Sequence, residues 1–108
     1  MPVDAPDQKT ESDILTEAEN LWQVVLLDDD DHSYDYVIEM LMELFNHPVE
    51  LAFQMACDVD RYKRVIVDVD TKEKAIIGRD GIKAYGPDKR MKRSQGSMAA
   101  VIEPVELS

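Results

Sequence analysis

The chain has 108 residues, 44% of them hydrophobic, and a formal net charge of −11 at pH 7. That size suits one domain around a single core, while the charge disfavours nonspecific binding to nucleic acid or an anionic membrane and favours cationic partners. Cys57 is the only cysteine, which excludes an intramolecular disulfide and a four-thiolate zinc site and suits a reducing compartment; the start is unlike a secretory signal and no run approaches the ~18 apolar residues of a membrane span, so a cytoplasmic location is expected.

Residues 1–20 set Asp4, Asp7, Glu11, Asp13, Glu17 and Glu19 against Lys9 alone and include two prolines. This is the composition of an acidic, disordered tail, with at most a helical turn at 14–19, and the folded domain is expected over residues 21–108. From Trp22 the stretch LWQVVLL reads as a strand that stops at four aspartates, Asp28 to Asp31. Four adjacent carboxylates repel one another unless a cation comes to them.

Residues 33–46 repeat apolar groups at helical spacing, which predicts a helix with Tyr34, Val37, Ile38, Leu41, Met42 and Phe45 on one face, capped by Ser33 or an aspartate before it. Pro48 opens a second helix with Val49, Ala52, Phe53, Ala56 and Cys57 inward. KRVIVDV, residues 63–69, predicts a strand with Val65, Val67 and Val69 on one face. Asp70 and Glu73 read as a capping box for a third helix, about Lys72 to Tyr85, that Gly86-Pro87 ends. The loop 88–97 concentrates Lys89, Arg90, Lys92 and Arg93, and MAAVIEPV makes a last strand finished by Pro104. The order β-α-α-β-α-β predicts an α+β fold: a small three-stranded, mostly antiparallel sheet packed against helices.

Catalytic readings are poorly supplied. Cys57 falls on an apolar helix face, with His32 and His47 in loops at either end of the preceding helix, so no nucleophilic set is evident; no glycine-rich phosphate loop follows the first strand. A calcium loop counted from Asp28 takes in Asp30, His32 and Glu39 but has Ser33 where the sharp turn needs glycine. A truncated phosphoacceptor receiver would pair the acidic loop with Asp68 at the end of the next strand, yet too few residues follow for a doubly wound sheet. A pocket for a cation beside an apolar group, such as a peptide's free N-terminus, remains.

The stretch VVLLDDDDHSYDYVIEMLMELF, with VELAFQMACDV and TKEKA after it, resembles the ClpS family of Clp protease adaptors, and the likeness runs from about Trp22 to Glu103 with an insertion within 86–97. The resemblance implies a non-enzymatic adaptor that needs no cofactor or metal. It implies two partners: the N-termini of substrate proteins (N-degrons) and a ClpA- or ClpC-type AAA+ unfoldase, reached through the N-terminal extension and a helical surface near Glu73. In the family an asparagine, the aspartate after it and a histidine hold the substrate's α-ammonium; these fall on Asp28, Asp29 and Asp60. Tyr34 falls where a methionine usually gates the pocket, and Val37, Ala56, Val59 and Met98 fall on its apolar wall.

The departures matter chemically. Asparagine and histidine can donate to a peptide carbonyl, whereas ionised carboxylates only accept, so this triad is better suited to hold positive charge and less suited to hold the first carbonyl. One or two ammonium contacts plus burial of a leucine-sized group give about −5 to −8 kcal/mol, micromolar at best. The alternative to the usual ligand is therefore a basic N-terminal residue, or no N-terminal ligand at all. The basic loop 88–97 suits either an acidic partner or, the favoured expectation, an offset to the domain's own negative charge.

Overall fold

The computed structural model describes residues 20–106. The tail expected over 1–20 therefore lies outside the described residues apart from Asn20. The elements are β1 (Leu21–Leu27), α1 (Tyr34–Phe45), α2 (Val49–Tyr62), β2 (Arg64–Thr71), α3 (Lys72–Lys83) and β3 (Ala100–Pro104), in the expected order. The sheet is antiparallel throughout, with β1 between β2 and β3, and the architecture is α+β.

β1 carries the most continuous apolar run because it is the central strand, and Val24, Val25 and Leu26 are fully buried. Val24 and Leu26 join the core shared with the three helices, while Val25 alternates to the other face, in register with Ile66 and Val101. Pro104 is tolerated because β3 is an edge strand.

The expected alignment of Val65, Val67 and Val69 on one face is corrected by a bulge. Val24 pairs with Asp68 but Val25 pairs with Ile66, which leaves Val67 as the extra residue. One unpaired residue exchanges the faces of whatever follows it. Val67 is buried in the core, while Val69, opposite Gln23, is 46% exposed.

The helix phases also shift from the expected ones. In α1 the buried residues are Tyr36, Val37, Met40 and Leu41, and Tyr34 and Met42 are exposed. In α2 they are Ala52, Ala56 and Val59; Val49 and Phe53 are exposed and Cys57 is half-buried. Both helices have apolar residues on more than one face, and which stripe turns inward is decided by what it meets: α1 lies against both α2 and α3, so its buried stripe is set by two neighbours rather than by its own periodicity.

Ser33 caps α1, its Oγ accepting from Tyr36 N. At α3 the cap is Thr71, whose Oγ1 accepts from Lys74 N, while Asp70 Oδ1 accepts from Thr71 N. The capping box expected from Asp70 and Glu73 is thus displaced by one residue, and Glu73 is an exposed first-turn residue without a reciprocal cap. Gly78 lets α3 approach α1 closely, since a Cβ there would lie 2.8 Å from the Phe45 ring.

Candidate functional site

The antiparallel pairing of β1 with β2 builds the site. Leu27 is opposite Arg64, and the ladder continues one step further: Asp28 N donates to Lys63 O at 3.0 Å. The acidic loop after β1 is thereby set against the C-terminal turn of α2, which carries Asp60. The same pairing removes the receiver reading, because Asp68 lies opposite Val24, partway along β1 and away from Asp28, in a sheet with no parallel strands.

Tyr34, at the start of α1, completes the arrangement. Its hydroxyl donates to Asp60 Oδ2 at 2.6 Å. That hydrogen bond, then desolvation, then the negative charge of Asp60, Cys57 and Asp28 push the phenol up to about 12. Lys63 Nζ donates to the Asp60 carbonyl at 3.1 Å and to Asp28 Oδ2 at 3.5 Å. Asp28, Lys63, Asp60 and Tyr34 are therefore linked in a chain, the Asp28 carboxylate to the Lys63 ammonium, the ammonium to the Asp60 backbone carbonyl, and the Asp60 carboxylate to the phenol.

Asp29 is differently engaged. Its carboxylate accepts from Asp31 N at 2.9 Å and lies 2.7 and 2.9 Å from His32 Nδ1, while His32 Nε2 is 2.7 Å from Gly96 O. His32 thus ties the acidic loop to the segment between α3 and β3. Sequence reasoning had no means to pair these groups, which stand 64 residues apart.

That segment supplies the cations the aspartates need. Arg93 donates to Asp30 O at 2.5 Å and pairs with Asp31 at 3.1 Å, and Arg90 pairs with Glu39 at 2.5 Å. Asp88, at its start, is 1% exposed and was missed as a structural residue because it adjoins a run of basic side chains. Its Oδ2 accepts from Ser33 N at 2.6 Å, at the positive end of α1, and its Oδ1 accepts from Arg90 N at 3.0 Å. Burial pushes the Asp88 carboxyl up, but the Ser33 and Arg90 donors outweigh it and hold the group below its ordinary value.

The apolar residues named by the resemblance, Val37, Ala56, Val59 and Met98, are 1–4% exposed and belong to the core beneath this point. Glu73 lies on the exposed first turn of α3. His47 reaches Val67 O at 2.6 Å, and neither histidine is hydrogen-bonded to Cys57. Among the described residues, no group of three or more His, Cys, Asp or Glu side chains could hold a metal ion, and no helix is long and apolar enough to cross a membrane.

The family model of ClpS, the ATP-dependent Clp protease adaptor protein, matches residues 17–90. The chain belongs to the ClpS family. It is accordingly an adaptor of the Clp protease, from a family that is non-catalytic in general and works with Clp unfoldases and substrates. The matched region covers Asp28, Tyr34, Asp60 and Glu73 and stops inside the segment that carries Arg93 and Gly96. Among solved structures, the chain is similar to Agrobacterium tumefaciens ClpS2 bound to L-phenylalaninamide, with 20% identity and a TM-score of 0.69 over 81% of this chain and 99% of that one. At that identity the likeness shows the ClpS fold. No curated protein matches the sequence significantly.

Proposed function

We propose that this ClpS-family chain captures the N-terminal residue of substrate proteins where β1, α1 and α2 meet, and delivers them to a ClpA- or ClpC-type unfoldase for degradation. The observation that carries the reading is that Lys63 bridges the Asp28 carboxylate and the Asp60 backbone carbonyl while Tyr34 binds the Asp60 carboxylate, which links the two residues that the resemblance assigns to a substrate's α-ammonium. Two carboxylates hydrogen-bonding an ammonium contribute roughly 1.5–3 kcal/mol each. Support for a residue-sized ligand comes from the similar ClpS2, which binds L-phenylalaninamide. In this reading Asp29 acts through the His32 tether, Tyr34 gates entry, Val37, Ala56, Val59 and Met98 form the floor, and Glu73 meets the unfoldase.

A second reading is favoured by one feature: the four floor residues are closed to solvent while the rim is anionic. A basic first residue would then be preferred to a large apolar one, because its charge can be met at the rim without opening the core.

Titration with short peptides that differ only in their first residue, each paired with an N-acetylated control, tests both. The adaptor reading expects first-residue dependence and loss of binding on acetylation. Arginine or lysine ahead of phenylalanine and leucine selects the second form. Binding indifferent to both the first residue and acetylation removes the N-terminal site altogether.

A further inference from the structure

Lys63 ends α2 in the left-handed region, at φ 71° and ψ −3°. A side chain there costs on the order of 1 kcal/mol relative to glycine, the common residue just beyond a helix. The backbone is held on both sides: Lys63 N donates to Val59 O at 2.9 Å, and Lys63 O accepts from Asp28 N. From this position the side chain turns back over the helix end and places Nζ between the Asp60 carbonyl and Asp28 Oδ2. The lysine side chain is 75% exposed and that of Asp28 only 16%, so the ammonium lies at the mouth of the site.

A peptide N-terminus presents two polar groups in succession, an ammonium that only donates and a first carbonyl that only accepts. The carboxylates of Asp28 and Asp60 answer the first and, when ionised, offer no donor for the second. The Tyr34 hydroxyl already donates its hydrogen bond to Asp60. An ammonium has three N–H groups, and Lys63 directs two at Asp28 and the Asp60 carbonyl, which leaves one for a ligand. An exposed ion pair adds little to folding stability, and the left-handed backbone opposes a lysine at this place. A requirement for a donor answers both points.

We infer that Lys63 is a ligand-binding residue of this site, giving its free N–H to the first carbonyl of a substrate whose α-ammonium is held by Asp28 and Asp60. The inference rests on the proposed N-terminal site and supplies the donor that its carboxylates lack. It predicts that the site discriminates between an amino-acid amide and the corresponding amine without a carbonyl.

The test is calorimetric titration of the full chain, as wild type, Lys63→Met and Lys63→Gly, with two matched pairs: L-phenylalaninamide against phenethylamine, and L-argininamide against agmatine. Wild type is expected to bind the amide of at least one pair roughly tenfold to a hundredfold more tightly than its amine. Lys63→Met should weaken the amide to the level of the amine and leave the amine within about twofold. Lys63→Gly should do the same with an unchanged or higher melting temperature, which separates loss of a donor from loss of a helix end. If wild type prefers the amide and Lys63→Met keeps that preference, or weakens both ligands equally, Lys63 is only a helix-end cation and the inference is overturned. Tighter binding of both ligands by the variant makes Lys63 a competitor and overturns it too. If wild type binds all four compounds no better than their N-acetylated forms, the N-terminal site fails and the role of Lys63 falls with it.

Discussion

Tyr34 and Asp60, 26 residues apart, are joined by a 2.6 Å hydrogen bond from phenol to carboxylate that links the first turn of α1 to the last turn of α2. It raises the phenol to about 12, through the hydrogen bond first and desolvation and neighbouring negative charge after it. A tyrosine whose folded value lies above its unfolded value of about 10 binds more protons in the folded state. The contribution is therefore complete below pH 10 and is lost as pH rises from 10 to 12. Ultraviolet titration of Asp60→Asn should show one tyrosine moving back toward 10; an unchanged titration curve would show that Asp60 does not hold Tyr34 in solution.

Asp88 tests the segment between α3 and β3. Asp88→Ala leaves the half-buried N–H of Ser33 without its acceptor and should cost about 1–3 kcal/mol in urea unfolding, with Asp88→Asn costing less because its carbonyl oxygen still accepts. The carboxyl is depressed in the folded state, so its contribution is present above the unfolded value near 4 and disappears as pH falls through the lower folded value. A variant as stable as wild type at pH 7 and equally resistant to proteolysis at residues 88–97 would show that Asp88 does not anchor the segment.

The helix phases predict a contrast within α1. Met40 and Leu41 are fully buried, and truncating either to alanine should cost about 2–5 kcal/mol. Met42→Ala, at a position 40% exposed, should change stability by only about 0.5 kcal/mol. Equal losses from Leu41→Ala and Met42→Ala in thermal unfolding would contradict the observed phase.

Thr71 and Glu73 separate structure from the proposed unfoldase contact. Thr71→Ala removes the α3 cap and should cost about 1 kcal/mol. Glu73→Ala loses only an exposed first-turn charge, about 0.3–1 kcal/mol, yet should weaken association with a ClpA- or ClpC-type unfoldase in a pull-down or fluorescence titration. Full association by Glu73→Ala, with loss in Thr71→Ala, would reassign the contact to the helix end as a whole.

Local signals carried far in this chain. The apolar run of β1, Ser33 before α1, Pro48 before α2 and Pro104 near the end of the last strand place the elements in their order, because strand alternation, caps and proline are effects of nearest neighbours in sequence. The family was legible in the uninterrupted stretch from Val24 to Phe45, and the lack of a donor among Asp28, Asp29 and Asp60 follows from their chemistry alone. What stayed hidden depends on distant partners. The bulge at Val67 turned Val69 outward, and packing of α1 against α2 and α3 chose Tyr36 and Met40 over Tyr34 and Met42.

The amino-acid order by itself determined the secondary structure, the acidic loop and the family, since each rests on interactions within a few residues. Tertiary structure alone decided that the lysine beside Asp60 reaches Asp28, that His32, which holds Asp29, is tied to Gly96, and that Arg93 and Asp88 close over the loop from more than 50 residues away. Long-range pairing of charges depends on where strands register and helices end, and a carboxylate in sequence carries no mark of which cation it will meet.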